Sequence, residues 1–267
     1  MVKDLTISIV NYNTKEYILK CLESIYANSE GVDIDIYVVD NNSTDDSVDA
    51  IRNLYPGVKL IENNENKGFA EANNQVLRLF NSRYCLITNP DVTMLPETLQ
   101  EMVRFMDSNL DAGAGGCKIL NPDKSLQYSC RRYPSIIMTL SRGLLIDYLI
   151  PKNRLIEKYL MRDWAHDSIM PVEWLTGCCL MVRQETIKEV GFFDKKYFMY
   201  FEDADLCYRI NKSWKVYYLP HVQMLHVFQH KSRKGGNLMH RLHHLKSASH
   251  FFKKFGLLPS NNRRNML

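Results

Sequence analysis

The first half of the sequence alternates apolar runs with amphipathic stretches, and this alternation restricts the fold more than any other feature. The runs predict five strands, TISIVNYN, IDIYVVD, VKLIEN, YCLITN and AGAGGCKIL. Helical patterns separate them, over residues 15–28, from the capping residues Ser43, Thr44 and Asp45 to Pro56, over 70–80, and from Pro96 onward. This order predicts an α/β fold with a mostly parallel central sheet, helices on both faces and a ligand site beyond the carboxyl ends of the strands.

Polar side chains stand at the ends of four successive predicted strands: Asn11, Asn13, Asp40, Asn41, Asn63, Asn89 and Asp91. One of them alone would indicate only a turn, because Asn and Asp are common turn residues. Four strand ends with the same amide and carboxylate chemistry favour a binding site at that edge of the sheet.

Charge is distributed unevenly along the 267 residues, whose formal net charge is +4. Residues 206–267 contain twelve Lys or Arg and no Asp or Glu, whereas residues 1–205 contain 22 basic and 30 acidic side chains. This asymmetry indicates an anionic surface or ligand near the C-terminal part of the chain.

Several classes of protein are excluded. No apolar run approaches the roughly 18 residues of a membrane-spanning helix. The start, MVKDLTISIV, predicts a strand and not a signal peptide, and seven scattered cysteines indicate reduced thiols, so we expect a cytoplasmic protein. GAGGCK lacks the third glycine of a dinucleotide loop, no P-loop motif occurs, and HVFQH has Val227 where a zinc protease needs Glu.

Six motifs and a downstream His occur in a fixed order between about residues 5 and 232: SIVNYN, VVDNNSTDDS, NENKGFAEANN, NPDV, WLTGCCLMVR and GFFDKKYFMYFEDADLCYR. Together they resemble glycosyltransferase family 2, especially its bacterial rhamnosyltransferase-like branch. The resemblance implies a GT-A (nucleotide-diphospho-sugar transferase) domain over 1–232. Residues 1–120 would be its nucleotide-binding half and residues 121–232 its acceptor-binding half, followed by a basic amphipathic tail over 233–267.

The resemblance implies that the first strand ends hold the nucleotide. Asp40 would accept a hydrogen bond from the N3–H of a uracil or thymine. Three amides would line the same crevice: Asn11, Asn13 and Asn41.

The NENKGFAEANN segment is expected near the phosphates. Lys67 would supply a positive charge, and Gly68 would permit close backbone approach at a helix start. Asn73, on the same helix, would project to that side. A solvated surface lysine is the alternative for Lys67.

The TNPDV segment occupies the position of the family's D-x-D motif. We assign Asp91 to Mg²⁺ or Mn²⁺, since hard cations prefer oxygen ligands and use one or two carboxylates together with substrate phosphates. Asn89 replaces the first Asp of the motif, and we expect its neutral oxygen to meet the ribose. The resemblance supplies His226 as a further contact of the cation or diphosphate, with His230 as the alternative.

The stretch YFMYFEDADLCYRI gathers three carboxylates within four positions. The resemblance assigns Asp203 as the base that takes the proton of the acceptor hydroxyl. Glu202 would orient the acceptor or raise the pKa of Asp203. Asp205 would face away from the site and pair with Arg209 on a helix over 203–213. The alternative is the exposed first turn of a helix, where acids suit the helix dipole.

EWLTGCCLMVR is expected to line the acceptor cleft. Trp174 would stack on a sugar face, and Thr176 with Gly177 would bring a loop towards the donor. The alternative for Trp174 is a core residue before a buried strand. Residues 131–164 are rich in aliphatic residues, Arg and Tyr; they predict helices that lie near a lipid surface or partner, or else an insertion packed on the core.

The tail combines apolar residues at helical spacing with basic residues elsewhere on the helix: Leu238, Leu242, Leu245 and Phe252, and Arg241, Lys246, Lys253 and Lys254. This pattern predicts either an anchor on an anionic membrane or a helix docked on the domain. No nucleic-acid-binding module is recognised, so no nucleic acid is expected.

We therefore predict a metal-dependent inverting glycosyltransferase, which would lie at the inner face of the cell membrane if the tail binds lipid. The resemblance implies dTDP-rhamnose as donor, with UDP-sugars as the alternative, and a cell-surface polysaccharide or lipid-linked glycan as acceptor. The other hypothesis is a non-catalytic sugar-nucleotide-binding or scaffolding protein of a membrane-associated assembly. The presence of both Asp91 and Asp203 favours the enzyme.

Overall fold

The structure is a computed structural model, and it describes residues 2–136, 139, 154–227, 238–257 and 259. The strands in this part are β1 Lys3–Asn11, β2 Ile34–Asp40, β3 Lys59–Glu62, β4 Ser82–Thr88, β5 Val92–Met94, β6 Ala112–Leu120, β7 Leu126–Gln127, β8 Cys130–Arg131, β9 Met170–Pro171, β10 Trp174–Leu175, β11 Cys179–Arg183 and β12 Lys215–His226. The helices are α1 Lys15–Ala27, α2 Ser47–Leu54, α3 Gly68–Leu77, α4 Thr98–Ser108, α5 Arg154–Tyr159, α6 Gln184–Val190, α7 Glu202–Ile210 and α8 Leu238–Phe255.

The central sheet has the strand order β3-β2-β1-β4-β11-β6-β12-β5, with β7 beside β6 and β9 beside β12. Strands β3, β2, β1 and β4 are parallel, as are β6 and β12. Strand β11 runs antiparallel between β4 and β6, which the alternation did not predict. The α/β class is confirmed.

The register of the parallel strands brings their carboxyl ends to one edge of the sheet. Asn11 lies beside Asp40, Asp40 beside Glu62, and Ile9 beside Thr88. The polar residues that end these strands are therefore neighbours, at the edge where α/β sheets bind ligands.

The sheet separates two apolar layers. One layer joins the sheet to α1 and α4 through residues such as Ile18, Leu22 and Met102. The other joins it to α3, α6, α7 and α8, and it includes Leu206 and Phe251. Burial of both faces explains the continuous apolar stretch of β4, over residues 84–87. In β1 the polar Thr6 and Ser8 are buried as well, and they are hydrogen-bonded to Ser82 and Asn73.

Helix α2 begins at Ser47, four residues later than the capping pattern indicated. Of the expected caps, Asp45 accepts the N–H of Ser47 at the start of α2 with Oδ1 at 3.2 Å and the Lys15 N–H with Oδ2 at 2.8 Å. The Ser43 N–H donates to Asp40 Oδ2 at 2.8 Å. Helix α3 begins at Gly68, two residues early, and α4 begins at Thr98, two residues after Pro96.

Helix α8 packs on the domain, as the docked-helix alternative predicts. Phe251 is fully buried, and Ser247 Oγ donates to the Met199 carbonyl at 2.8 Å. The four apolar residues expected on one face do not share it, because Phe252 is buried whereas Leu242 and Leu245 are exposed.

Asp205 does not have the exposed position of the alternative for the carboxylate cluster. Its side chain is fully buried, and it accepts hydrogen bonds from Arg209 Nε at 2.7 Å and Lys254 Nζ at 2.6 Å. The hydroxyl of Tyr197 lies 3.2 Å away. The pairing with Arg209 is confirmed, but the carboxylate also ties α7 to α8.

No helix in the described part of the chain has the length and apolarity to cross a bilayer. All seven cysteines are free and buried. Within the segment 131–164, where helices were expected, residues 137, 138 and 140–153 lie outside the described residues, and the described part includes α5.

The substitution Asp205→Asn is expected to reduce the free energy of unfolding by about 3 kcal/mol, because it removes the negative charge of a buried ion pair and leaves Arg209 without its carboxylate partner. Chemical denaturation measures this. Asp49→Asn is the matched control: Asp49 forms an exposed i,i+3 pair with Arg52, so its loss should change stability little. Equal effects of the two substitutions would contradict a structural role for the buried pair.

Candidate active site

At the strand-end edge, Asn11 fixes the orientation of Asp40. Both residues are buried, and Asn11 Nδ2 donates to Asp40 Oδ1 at 2.7 Å and to Ser47 Oγ at 2.7 Å. The Ser43 N–H holds the second oxygen of Asp40. A carboxylate has about four acceptor positions, so Asp40 keeps capacity for a ligand donor, whereas Asn11 acts as its support.

The other two predicted crevice amides also bind neighbouring chain segments. Asn13 has a positive φ of 51°, and its Oδ1 accepts the Thr44 N–H at 2.8 Å. Asn41 accepts from Asn63 Nδ2 at 3.0 Å and donates to the Gly68 carbonyl at 3.3 Å. These bonds hold the ends of β1, β2 and β3 and the start of α3 in fixed positions.

Gly68 permits a close approach, but to the protein's own backbone. Its φ is +76°, and an added Cβ would lie 2.2 Å from the Phe198 carbonyl oxygen. The Phe69 N–H donates to that oxygen at 2.9 Å, and the Gly68 N–H donates to Asn66 Oδ1 at 2.9 Å. The backbone N–H groups of Gly68 and Phe69, at the start of α3, therefore already have partners within the protein. The half-buried Lys67 is the positively charged side chain at this position.

Asn73 is not a crevice residue, which corrects the expectation. It is fully buried, its Oδ1 accepts from Ser8 Oγ at 2.7 Å, and its Nδ2 donates to the Phe69 carbonyl at 3.0 Å. The amide fastens α3 to β1.

Asp91 and His226 come together although 135 positions separate them in the sequence. His226 Nε2 lies 3.2 Å from Asp91 Oδ1, and both side chains are nearly buried. The Val227 N–H donates to the Asp91 carbonyl at 2.9 Å, because β12 pairs with β5 directly after Asp91. Asn89 is half-buried in the same turn, and His230 lies outside the described residues.

A carboxylate and an imidazole nitrogen in this arrangement fit a divalent cation that takes its remaining ligands from a diphosphate and water. The described residues contain no group of three or more His, Cys, Asp or Glu that could hold a metal ion. Any cation held here would therefore depend on substrate oxygens.

Asp203 lies at the start of α7 and is half-buried. Its Oδ2 accepts the Gly177 N–H at 3.0 Å, and its Oδ1 accepts the Ala204 N–H at 2.8 Å. Burial raises the pKa of Asp203 above its usual value, although these two N–H donors oppose the rise. Asp203 is therefore a carboxylate that two backbone N–H groups fix in position and whose basicity burial increases.

Glu202 is buried beside it. Burial, and next the charge of Asp203, raise the pKa of Glu202 well above its usual range. Among the described residues its Oε2 has no hydrogen-bond partner. The acids do occupy the first turn of a helix, but Glu202 and Asp205 are buried, so the exposed-turn alternative is wrong for them.

The chain enters α7 through Tyr200 and Phe201, whose φ angles are +71° and +68°. A non-glycine residue in this region costs on the order of 1–2 kcal/mol. Surrounding contacts hold the strained turn, and it sets the direction in which Glu202 and Asp203 leave the helix start.

The three residues of the WLTG segment that were predicted to line the acceptor cleft lie in different environments. Gly177 contacts Asp203 through its N–H, and an added Cβ there would lie 3.0 Å from Phe69 Cε1. Thr176 is anchored by its N–H to the Ser129 carbonyl at 2.9 Å. Trp174 is a core residue and not an open platform: it is buried, and its Nε1 donates to the Arg132 carbonyl at 2.9 Å.

Two functional candidates were missed from the sequence. The Arg131 guanidinium lies 5.3 Å from the Trp174 ring centroid, and its positive charge lowers the pKa of Asp203. Gln127 contacts His226, with 2.9 Å between Oε1 and Nδ1. In the sequence, the adjacent arginines of the CRR segment were a weak indication of Arg131, and no pattern indicated Gln127.

The described structure thus combines a mixed sheet, a carboxylate fixed at a helix start, and an Asp–His pair at the strand ends. The model of glycosyl transferase family 2 matches residues 6–164, and the chain belongs to this family. It is therefore a glycosyltransferase, and the recognition made from the motifs is confirmed.

Two curated relatives cover most of the chain. The N-acetylglucosaminyl-diphospho-decaprenol L-rhamnosyltransferase of Mycobacterium tuberculosis is 30% identical over 244 residues, which are 87% of this chain and 78% of that protein. The rhamnosyltransferase WbbL of Escherichia coli is 28% identical over 265 residues, 96% of this chain and 95% of that one.

Solved structures confirm the GT-A fold. The mannosyltransferase PcManGT from Pyrobaculum calidifontis, in complex with GDP-Man and Mn²⁺, superposes with a TM-score of 0.64 at 19% identity, covering 95% of this chain and 65% of that one. GalNAc-T7 with UDP, GalNAc and Mn²⁺ also has a TM-score of 0.64, at 12% identity over 85% of this chain and 44% of that one.

The raised pKa of Glu202 predicts a pH-dependent stability. Above the unfolded pKa near 4.5, the unfolded chain releases this proton while the folded chain keeps it, so stability falls as pH rises until the folded pKa is reached. The fall is about 1.4 kcal/mol per pH unit. Glu202→Gln cannot titrate, so its stability relative to the wild type should increase as the pH rises above 4.5, until the pKa of folded Glu202 is reached.

Urea denaturation of both proteins at several pH values measures this difference. Glu185→Gln, in the first turn of α6 on an exposed side chain, is the control and should show no such trend. A constant difference between wild type and Glu202→Gln would mean that Glu202 is ionised in the folded protein.

Proposed function

We propose that the chain transfers a rhamnosyl group from dTDP-rhamnose to a lipid-linked glycan, with inversion at the anomeric carbon. The names of the two relatives support the sugar, and that of the mycobacterial protein supports a diphospholipid-linked acceptor. UDP-sugars are the alternative donors, because the carboxylate of Asp40 suits the N3–H of thymine and uracil equally.

One observation carries the proposal: the segment of Gly177 and Cys178 connects the end of β4, which Asp91 follows, to the start of α7. The Cys178 carbonyl accepts from Thr88 Oγ1 at 2.8 Å, and the Gly177 N–H donates to Asp203 Oδ2 at 3.0 Å. A donor diphosphate near Asp91 and an acceptor hydroxyl near Asp203 would meet beside this segment.

The proposed step uses Asp203 as general base. Its carboxylate takes the proton of the acceptor hydroxyl while that oxygen forms a bond to the anomeric carbon. The bond between that carbon and the diphosphate oxygen breaks, and its electron pair leaves with the nucleotide diphosphate. Burial supports this role because it raises the basicity of Asp203.

Asp91 and His226 would hold Mg²⁺ or Mn²⁺, whose chemistry when bound is to neutralise the charge of the diphosphate. The Mn²⁺ in two similar structures supports a divalent cation. Lys67 would add a positive charge, and Asn89 would meet the ribose. Glu202, whose raised pKa favours the neutral acid, would donate a hydrogen bond to the acceptor.

Asp203→Asn is expected to lower the turnover of dTDP-rhamnose by about 10²–10⁴-fold while leaving donor affinity nearly unchanged, because the amide keeps the size of the side chain but accepts no proton. Asp91→Asn should weaken Mn²⁺-dependent donor binding as well as turnover. Calorimetric titration of donor with and without Mn²⁺, together with a nucleotide-release assay, separates the two losses.

If Asp203→Asn transferred sugar at nearly the wild-type rate, Asp203 would not be the base. Donor binding without any transfer by the wild type, across dTDP- and UDP-sugars with lipid-linked acceptors, would favour the non-catalytic sugar-nucleotide-binding alternative.

We also propose that α8 holds the enzyme at an anionic membrane, where a lipid-linked acceptor would be found. Support comes from its outward side, which exposes apolar and basic side chains together: Met239, Leu242 and Leu245, with Arg241, Lys246 and Lys253. The opposite side is packed on the domain, so this surface is presented by a rigid element. Anionic lipid complements a segment without acidic residues.

Sedimentation with vesicles of phosphatidylcholine and phosphatidylglycerol tests this surface. The wild type should bind at low salt and detach as salt rises. Leu242→Ser with Leu245→Ser should reduce the bound fraction several-fold, whereas Leu54→Ser with Leu110→Ser, which are exposed elsewhere, should not. If the wild type did not sediment with these vesicles at low salt, the membrane role of α8 would be overturned.

A further inference from the structure

Gln127 has an orientation that its own hydrogen bonds determine. Its Nε2 donates to the backbone carbonyl of His226 at 2.7 Å and to Asn121 Oδ1 at 2.7 Å. A backbone carbonyl can only accept, so the NH₂ group must lie on that side of the amide. The amide oxygen consequently faces His226 Nδ1, at 2.9 Å.

This contact fixes the tautomer of His226. Because Gln127 Oε1 is an acceptor, Nδ1 must carry a hydrogen and donate it. In the neutral imidazole the lone pair then belongs to Nε2, which lies 3.2 Å from Asp91 Oδ1. Two acceptors facing each other at this distance repel, unless a proton or a cation lies between them.

We propose that Gln127 is the positioning residue of a divalent cation site, and that it presents the Nε2 lone pair of His226 to the metal. The inference rests on the proposed cation site of Asp91 and His226 and adds to it. Metal-binding histidines commonly donate their second ring N–H to an oxygen, which fixes the ring and increases its affinity for the metal.

A strand of only two residues, β7, places Gln127 in this position. Strand β7 pairs antiparallel with the end of β6, with Gln127 opposite Ile119. Strand β6 also pairs with β12, which ends at His226. The side chain of Gln127 therefore reaches across the end of β6 to the last residue of β12, and both the ring and the backbone of His226 are held from one side chain.

The experiment compares Gln127→Leu, which removes the acceptor, with Gln127→Glu, which restores an acceptor for Nδ1. MnCl₂ is titrated in the presence of dTDP, and bound Mn²⁺ is followed by electron paramagnetic resonance. Gln127→Leu should weaken Mn²⁺ binding about 10–100-fold. Gln127→Glu should lie closer to the wild type.

A second readout does not depend on metal. Long-range ¹H–¹⁵N spectra of the metal-free protein, with His226 assigned from a His226→Gln variant, should show hydrogen on Nδ1 in the wild type. They should show a mixture of tautomers in Gln127→Leu. Gln100→Leu is the matched control, because the Gln100 amide also donates to two oxygens, the carbonyls of Asn28 and Glu30, away from the site. It should change neither readout.

Asp91→Asn and His226→Gln separate failure of this inference from failure of the proposed site. If these two variants weaken Mn²⁺ binding and Gln127→Leu does not, the role of Gln127 is overturned and the cation site remains. Unchanged Mn²⁺ binding in all three would overturn the cation site itself. Hydrogen on Nε2 and none on Nδ1 in the wild-type, metal-free protein would also overturn the role of Gln127.

Discussion

The antiparallel insertion of β11 between β4 and β6 is the constraint on which the site depends. Because β11 starts beside the end of β4, with Cys179 opposite Thr88, the loop before it lies over the carboxyl ends of the parallel strands. Thr88 Oγ1 fixes that loop by donating to the Cys178 carbonyl at 2.8 Å. Gly177 then reaches Asp203 with its N–H at 3.0 Å. One strand pairing thus connects the half of the domain that ends in Asp91 with the half that begins at α7.

A second set of contacts keeps α7 at its angle. The N-terminal end of α3 is joined to the segment before α7 by the Phe69 N–H and the Phe198 carbonyl, and Gly68 leaves room for that contact. Behind the helix, Asp205 is held by Arg209 and Lys254, so α8 braces it from the other side. The strain at Tyr200 and Phe201 is stable only because both sides of the helix are fixed. Segments that are far apart in the sequence, at the start of α3 and in α8, therefore hold α7 in place.

The sequence predicted the features that depend on local periodicity and missed those that depend on tertiary partners. The strands β1 to β4 and their polar ends follow from alternation, and the Asp205–Arg209 pair follows from helical spacing. Nothing in CLMVR gives the direction of β11, because a buried strand has the same apolar pattern in either direction. Asn73 and Trp174 were assigned to ligands because only the fold shows that Ser8 and Arg132 already satisfy their polar groups. A two-residue strand such as β7 has no periodicity to find. Helix α8 has apolar residues on two faces, so spacing alone could not tell which one is buried.

The three clustered carboxylates at α7 are compatible with one another because each is neutralised in a different way. Asp205 is paired with two cations and contributes no net negative charge to the cleft. Burial, and next the charge of Asp203, raise the pKa of Glu202 well above its usual range, which favours the neutral acid. Asp203 is stabilised as an anion by the N–H groups of Gly177 and Ala204. The cluster therefore behaves as one base with a neutral acid beside it, and not as three repelling charges. Ionising Glu202 would place a second negative charge next to Asp203 and remove the hydrogen-bond donor from the cleft, so the protonation of Glu202 and the basicity of Asp203 depend on the same burial.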